Sequence, residues 1–241
     1  MCLVALCVNG DRAKSAEVAQ SGKPKSHQAQ LGEHTPTETM STPPGTVIIR
    51  ATDQHFLGTG GVPGYSGTDD WNTPIVNCPS GSFVTGIQGF SVDGKAGLVN
   101  LRYICASTSG GEKVNRATDA GFAGTGKVSG YAGTDDPADQ WVSCPTGSFV
   151  SAIQGFSFNG RYVVVNLRYA CRSGANNSIE LKATAAAFAG TGTVEHFAGT
   201  DDLADPSVSC PLGTYVTAIQ GFLQSTALSE YGIINMRYVC R

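Results

Sequence analysis

GYAGTDDPADQWVSCPTGSFVSAIQGF, residues 130–156, decides the fold because the chain contains it in three versions. The other two are GYSGTDDWNTPIVNCPSGSFVTGIQGF at 64–90 and HFAGTDDLADPSVSCPLGTYVTAIQGF at 196–222. After a variable loop, each version is followed by VNLRYIC (99–105), VNLRYAC (165–171) or INMRYVC (234–240). Upstream, Phe56, Phe122 and Phe188 each precede a Gly-Thr-Gly, and short apolar runs end before Arg50, Arg116 and Lys182. Cys78, Cys144 and Cys210 stand 66 residues apart. A fixed repeat of this length with strand-like pieces implies one supersecondary unit used three times around or along an axis. A lone copy buries too little surface to stand alone. Residues 46–241 therefore read as a single all-β domain of three repeats, 46–110, 111–176 and 177–241.

The strongest strand signal lies at the end of each repeat, where Val99, Leu101, Tyr103 and Cys105 alternate with Asn100 and Arg102, the period-two pattern of a half-buried strand. Val165–Cys171 and Ile234–Cys240 repeat it, so the cysteine is expected to point inward. In each Cys-Pro-x-Gly, proline at the second turn position and glycine at the fourth reverse the chain. Strands Ser82–Phe90, Ser148–Phe156 and Thr214–Phe222 are expected to follow. With the Arg50-type run and the segment before each first cysteine, every copy supplies about four strands.

The two cysteines of each copy lack the clustering and neighbouring histidines of a metal site. Six cysteines allow 15 pairings, and the strict repetition favours one bond inside each copy: Cys78–Cys105, Cys144–Cys171 and Cys210–Cys240. Three such bonds imply an oxidising compartment. The formal net charge of −3 over 241 residues gives no electrostatic reason to expect nucleic acid or an anionic membrane as partner. The body contains no apolar run long enough to cross a bilayer as a helix. Residues 1–45 read differently: MCLVALCV is either an export-signal remnant or an accidental apolar tip, and the polar stretch after it is composed like a disordered linker. In the first case Cys7 is a candidate lipid acceptor, although Leu6 stands where a small residue is expected.

These motifs resemble the vitelline membrane outer layer protein I family. The resemblance rests on Gly64-Tyr65-Ser66-Gly67 through Trp71, then Cys78-Pro79-Ser80-Gly81, then Asn100, Arg102 and Cys105, with equivalents in the other two copies. It implies a β-prism of three antiparallel sheets with pseudo-threefold symmetry, the structural alternative being a β-trefoil-like fold. It also implies a secreted protein of extracellular coats with affinity for oligosaccharides. The tryptophan before the first cysteine is Trp71 in copy one and, four positions later, Trp141 in copy two; copy three has Leu203 and Ser207 at those places.

The repeated acids Asp69-Asp70, Asp135-Asp136 and Asp201-Asp202 follow Tyr65, Tyr131 and Phe197 by four residues. Carboxylates in a Gly-rich loop can bind Ca²⁺ or accept hydrogen bonds from sugar hydroxyls, and aspartate equally caps its own turn. An aromatic face beside carboxylates suits a pyranose ring; the same rings can instead fill the axial core. Gln88, Gln154 and Gln220, with Arg102, Arg168 and Arg237, read as a structural polar network, the arginines being placed to pair with the repeated aspartates. Adjacent aspartates on extended chain point apart, and His27, His34, His55 and His196 neither repeat nor cluster, so no catalytic set is expected. Asn176-Asn177-Ser178 is a glycosylation sequon in the second connector. The expectation is a secreted or surface-tethered, non-catalytic binding or coat protein, free of cofactors apart from a possible Ca²⁺. Its partners are glycans or extracellular coat components, held through the aromatic/Asp loops. The alternatives are a purely structural matrix protein and a carbohydrate-processing enzyme.

Overall fold

The computed structural model describes residues 47–93, 96–158, 163–224 and 232–241, which belong to one compact unit. The export-type segment, Cys7 and the linker lie outside the described residues. Copy one contributes β1 (Ile48–Ala51), β2 (Tyr65–Gly67), β3 (Ser82–Val92) and β4 (Leu98–Ser107). Copy two contributes β5 (Val114–Ala117), β6 (Tyr131–Gly133), β7 (Ser148–Phe158) and β8 (Val164–Ser173). Copy three contributes β9 (Ile179–Ala183), β10 (Phe197–Gly199), β11 (Val216–Gln224) and β12 (Ile233–Cys240). They form three antiparallel four-stranded sheets: A (β1-β12-β11-β2), B (β5-β4-β3-β6) and C (β10-β7-β8-β9). The fold is a β-prism with pseudo-threefold symmetry and not the trefoil alternative. Each sheet takes two long central strands from one copy and two short outer strands from the next. The copies are thus interlocked, and sheet A joins the start of the body to its end.

Two bulges per sheet set which side chains face the axis. Val84 pairs with Cys105 and Gly86 with Ile104, which leaves Thr85 as the extra residue and puts Val84 and Ile87, three apart, on the same face. A second irregularity, where Phe90 pairs with Asn100 and Ser91 with Leu98, displaces Val99. Leu98 therefore takes the axial place that strict alternation gives to Val99, and Val164 and Ile233 do the same in the other sheets. The repeated glycine of Ile-Gln-Gly-Phe makes room for this residue: a Cβ on Gly89 would lie 2.6 Å from Leu98 Cδ2, and one on Gly221 2.8 Å from Ile233 Cδ1.

Along the axis Leu101, Tyr103 and Cys105, with their equivalents, are fully or almost fully buried in one core cluster. Tyr103, Tyr169 and Tyr238 join the sheets in a cycle. Each hydroxyl donates to a carbonyl of its own copy, Val76, Val142 or Val208. Each also accepts an amide from another sheet: Ile219 at 3.4 Å, Ile87 at 3.4 Å and Ile153 at 3.2 Å. Both polar needs of a buried phenol are met this way. Phe83, Phe149 and Tyr215 pack mutually with ring centroids 5.1–5.2 Å apart, a second contact among the three sheets.

The three disulfides form as expected, Cys78–Cys105, Cys144–Cys171 and Cys210–Cys240, with Cα–Cα distances of 5.5–5.6 Å. The turn after each first cysteine differs by one residue from the sequence reading. Ser82 N–H bonds the Pro79 carbonyl at 2.9 Å and Gly81, at φ +75°, takes the third position, so glycine is there because that position requires a positive φ. The segment just before each first cysteine is a run of turns and not a strand. The short fourth strand lies earlier, at Tyr65–Gly67 and its equivalents. Those turns bridge sheets: Cys78 is bonded through sulfur to β4 of sheet B, while its N–H donates to Thr217 of sheet A at 2.8 Å.

Candidate functional site

The outer face of each sheet, polar in the alternation argument, is covered as well. Phe122 packs on Phe90 and Tyr131, with centroids 5.2 and 4.9 Å away. Phe56 and Phe188 make the same contacts with Phe222 and Tyr65, and with Phe156 and Phe197. Under this cover lies the arginine. Arg102 Nε donates to Phe122 O at 2.9 Å, one Nη to Gln88 Oε1 at 3.0 Å and the other to Gly126 O at 2.7 Å, with Cζ 4.7 Å from the Phe90 ring centroid. Gln88 Nε2 in turn donates to Thr134 O at 2.9 Å. Arg168 repeats the scheme on Gln154, Phe188 O and Gly192 O, whereas Arg237 donates one Nη to Gln220 Oε1 and the other to the Gly58 and Gly60 carbonyls and leaves its buried Nε without a partner. Burial pulls the Arg102 pKa down and the Asp136 carboxylate opposes it; Asp202 and Asp70 do the same for Arg168 and Arg237. The expected Arg–Asp partnership thus exists as a field across the cleft, while the direct partners of each guanidinium are glutamine and loop carbonyls. Replacing Arg102→Met is expected to cost about 2 kcal/mol, since it strips three acceptors of a charged donor. An unchanged urea midpoint would contradict this.

The Gly-Thr-Asp-Asp element is the corner where the chain passes between sheets. Thr68 Oγ1 accepts the Gly221 N–H of sheet A at 2.9 Å, and the Asp69 N–H donates at 3.0 Å to the carbonyl of Thr118, the residue just after β5 of sheet B. Asp70, Asp136 and Asp202 each accept the N–H two residues on, at 2.8–2.9 Å, capping their own turns. Asp201 Oδ2 accepts the Gln54 N–H at 3.1 Å. The repeated threonines and the phenylalanines before Gly-Thr-Gly carry these contacts, and their threefold recurrence is the one mark of that role in the sequence.

Tyr65, Tyr131 and Phe197 are half-buried on the outer clusters and not in the axial core. Trp71 is 5% exposed, with the Arg237 Cζ 4.3 Å from its ring centroid. Trp141 is 51% exposed. The two acids of copy two face different clefts. Asp136, with Tyr131, Arg102 and Lys127, lines an open cleft of about 690 Å³ on sheet B. Asp135, with Asp139, Gln140 and Trp141, lines another of about 550 Å³. The Trp141 segment is fixed by its neighbours: Ala183 N–H donates to Trp141 O at 3.3 Å and Lys182 Nζ to Gln140 O at 2.9 Å. Among the described residues, no three His, Cys, Asp or Glu side chains converge as a metal group.

No protein-family model matches the chain, and no curated protein matches it. Among solved structures, the chain is similar to the Bacillus thuringiensis insecticidal crystal protein Cry7Ca1, at 11% identity and TM-score 0.37, over 70% of this chain and 29% of that one. The mosquito-larvicidal Cry4Aa toxin of the same organism gives 8% identity and TM-score 0.37, over 73% of this chain and 31% of that one. Calystegia sepium agglutinin gives 15% identity and TM-score 0.33, over 75% of this chain and 99% of that one. The chain therefore spans less than a third of the length of either toxin.

Proposed function

We propose that this protein is a non-catalytic carbohydrate-binding protein, secreted or tethered at the outer cell surface, and that copy two carries its principal site. The supporting observation is Trp141, an exposed indole beside Asp135, Asp139 and Gln140 in an open cleft. A flat apolar ring takes the apolar face of a pyranose, while the carboxylates and the amide accept and donate hydrogen bonds to its hydroxyls. Tyr131 and Asp136 offer a second, adjoining surface. The equivalent loops, with Tyr65, Asp69 and Asp70 in copy one and Phe197, Asp201 and Asp202 in copy three, are the weaker counterparts, since copy three has no tryptophan and Trp71 already covers Arg237. Three disulfides fit an extracellular, oxidising setting. Asp135 and Asp136 of copy two face different clefts, which favours binding over glycosidic acid–base chemistry there.

Glycan-array screening followed by calorimetric titration, with calcium and without, tests this. Trp141→Ala is expected to weaken saccharide binding at least about tenfold, in line with the loss of one aromatic contact of ~1.4 kcal/mol or more. If the intact protein binds no saccharide, the purely structural coat reading replaces this one. If it binds and Trp141→Ala binds equally well, the site lies elsewhere.

A further inference from the structure

Trp71 and Leu203 occupy the same position on the same loop, and the difference between them opens a pocket. The backbone is held alike in both copies. Asp70 and Asp202 cap the turn through Asn72 N–H and Ala204 N–H, and Thr73 and Asp205 N–H return to the carbonyls of Asp70 and Asp202 at 3.0 and 2.9 Å. The carbonyls of Trp71 and Leu203 each accept from the side chain six residues on, Asn77 and Ser209. Only the side chain changes. In sheet A the indole lies against Arg237, whose Cζ is 4.3 Å from the Trp71 centroid and 4.8 Å from that of Phe222. In sheet C the equivalent Arg168 keeps its phenylalanine, Phe156, at 4.7 Å. Where the indole would be, a pocket of about 250 Å³ opens, lined by Arg168, Gln154, Ala170, Leu181 and Leu203, with Ile179 at its rim.

We propose that this pocket binds a small planar aromatic molecule of indole size, stacked on Arg168 as Trp71 is stacked on Arg237. Arg168 is 5% exposed and its plane is already fixed, with Nε on Phe188 O at 2.7 Å, one Nη on Gln154 Oε1 at 3.3 Å and the other on Gly192 O at 2.9 Å. A desolvated, immobile guanidinium is the strong form of a cation–π partner, because neither water nor side-chain freedom has to be displaced. Leucine and alanine walls supply the apolar burial a ring needs, and the volume suits one or two fused rings. This pocket shares no lining residue with the Trp141 cleft, so it is distinct from the principal carbohydrate site, although Asp202 of the weaker copy-three surface lies at its polar side.

Titration with 5-fluoroindole, followed by fluorine NMR, tests the assignment on the full chain. The intact protein is expected to show one saturable site, in sheet C and not beside Arg102, where Pro137 and Asn115 replace Leu203 and Leu181 and the apolar wall is missing. Nuclear Overhauser contacts are expected from the ring to the Leu181 and Leu203 methyls. Leu203→Trp supplies an internal occupant and is expected to weaken binding at least tenfold. Trp71→Leu empties the sister position in sheet A and is expected to add a second equivalent, which keeps the assignment testable if Leu203→Trp does not fold. Absence of saturable binding to the intact protein, ring contacts to other methyls, or unchanged affinity in a folded Leu203→Trp would each overturn the proposal.

Discussion

Above pH 10 this protein is expected to lose stability by about 4 kcal/mol per pH unit and to unfold in one cooperative step. The cause is the axial tyrosine cycle. Burial pushes the pKa values of Tyr103, Tyr169 and Tyr238 well above the ordinary phenol value of 10.0, and it outweighs the opposing effects of the amides that each hydroxyl accepts and of Arg116 near Tyr103 and Arg50 near Tyr238. Below pH 10 both folded and unfolded chains hold these protons, and the groups contribute no pH dependence. Above it the unfolded chain releases protons that the fold retains, so fewer protons are bound when unfolded and stability falls as pH rises. Each phenol contributes about 1.4 kcal/mol per unit, and three act together. Tyrosinate absorbance and circular dichroism, followed in one alkaline titration, check this: the axial phenols should ionise only as the sheets are lost. Tyr103→Phe should reduce the slope by about a third. It should also cost about 1–3 kcal/mol at neutral pH, because the Val76 carbonyl and Ile219 amide lose their buried partner. Ionisation of the axial tyrosines in a protein with unchanged circular dichroism would contradict the account.

Removing one disulfide, for example by Cys144→Ala with Cys171→Ala, is expected to lower stability by about 3.5 kcal/mol, the chain-entropy value for a loop of this length. Removing all three is expected to leave no stable fold, because the sum, on the order of 10 kcal/mol, matches the whole stability of an ordinary domain. The effect is more than local. Cys144 N–H donates to Thr85 O of sheet B at 2.7 Å while its sulfur is bound to β8 of sheet C, so each bond anchors a turn that holds two sheets together. Urea midpoints of the double variants and near-ultraviolet circular dichroism of the cystine-free chain are the measurements. A cystine-free chain with native spectra would refute the role assigned to these bonds.

The long strands, their inward cysteines and the pairing of those cysteines were legible in the chain, because period-two alternation and a strict interval are both local properties. The bulges were not. Alternation predicts Val99 at the axis, whereas an unpaired residue beside Asn100 moves Leu98 there, and a one-residue slip of register leaves no local trace in composition. The three-residue strands Tyr65–Gly67, Tyr131–Gly133 and Phe197–Gly199 contain glycine and carry too short a pattern to stand out from loops. That each sheet draws its outer strands from the following copy was equally hidden, since repetition fixes the unit and says nothing of which neighbour it joins. At the candidate site, Gly-Thr-Asp-Asp was visible as a motif, but its roles as corner and turn cap became apparent only from the partners of Thr68, Asp69 and Asp70. Trp71 and Trp141 looked alike in sequence, yet one is buried against Arg237 and the other exposed, a difference that depends on contacts made far along the chain.

The pairing of β1 with β12, which sets Ile48 opposite Cys240, also orders events during synthesis. Among the described strands, β1 is synthesised first and must wait for β12 before its hydrogen-bonding edge is satisfied, and neither neighbouring sheet can complete the ring on its behalf. A chain of this design stays open along the seam of sheet A until β12 has been made, whereas sheets B and C can pair from strands already synthesised.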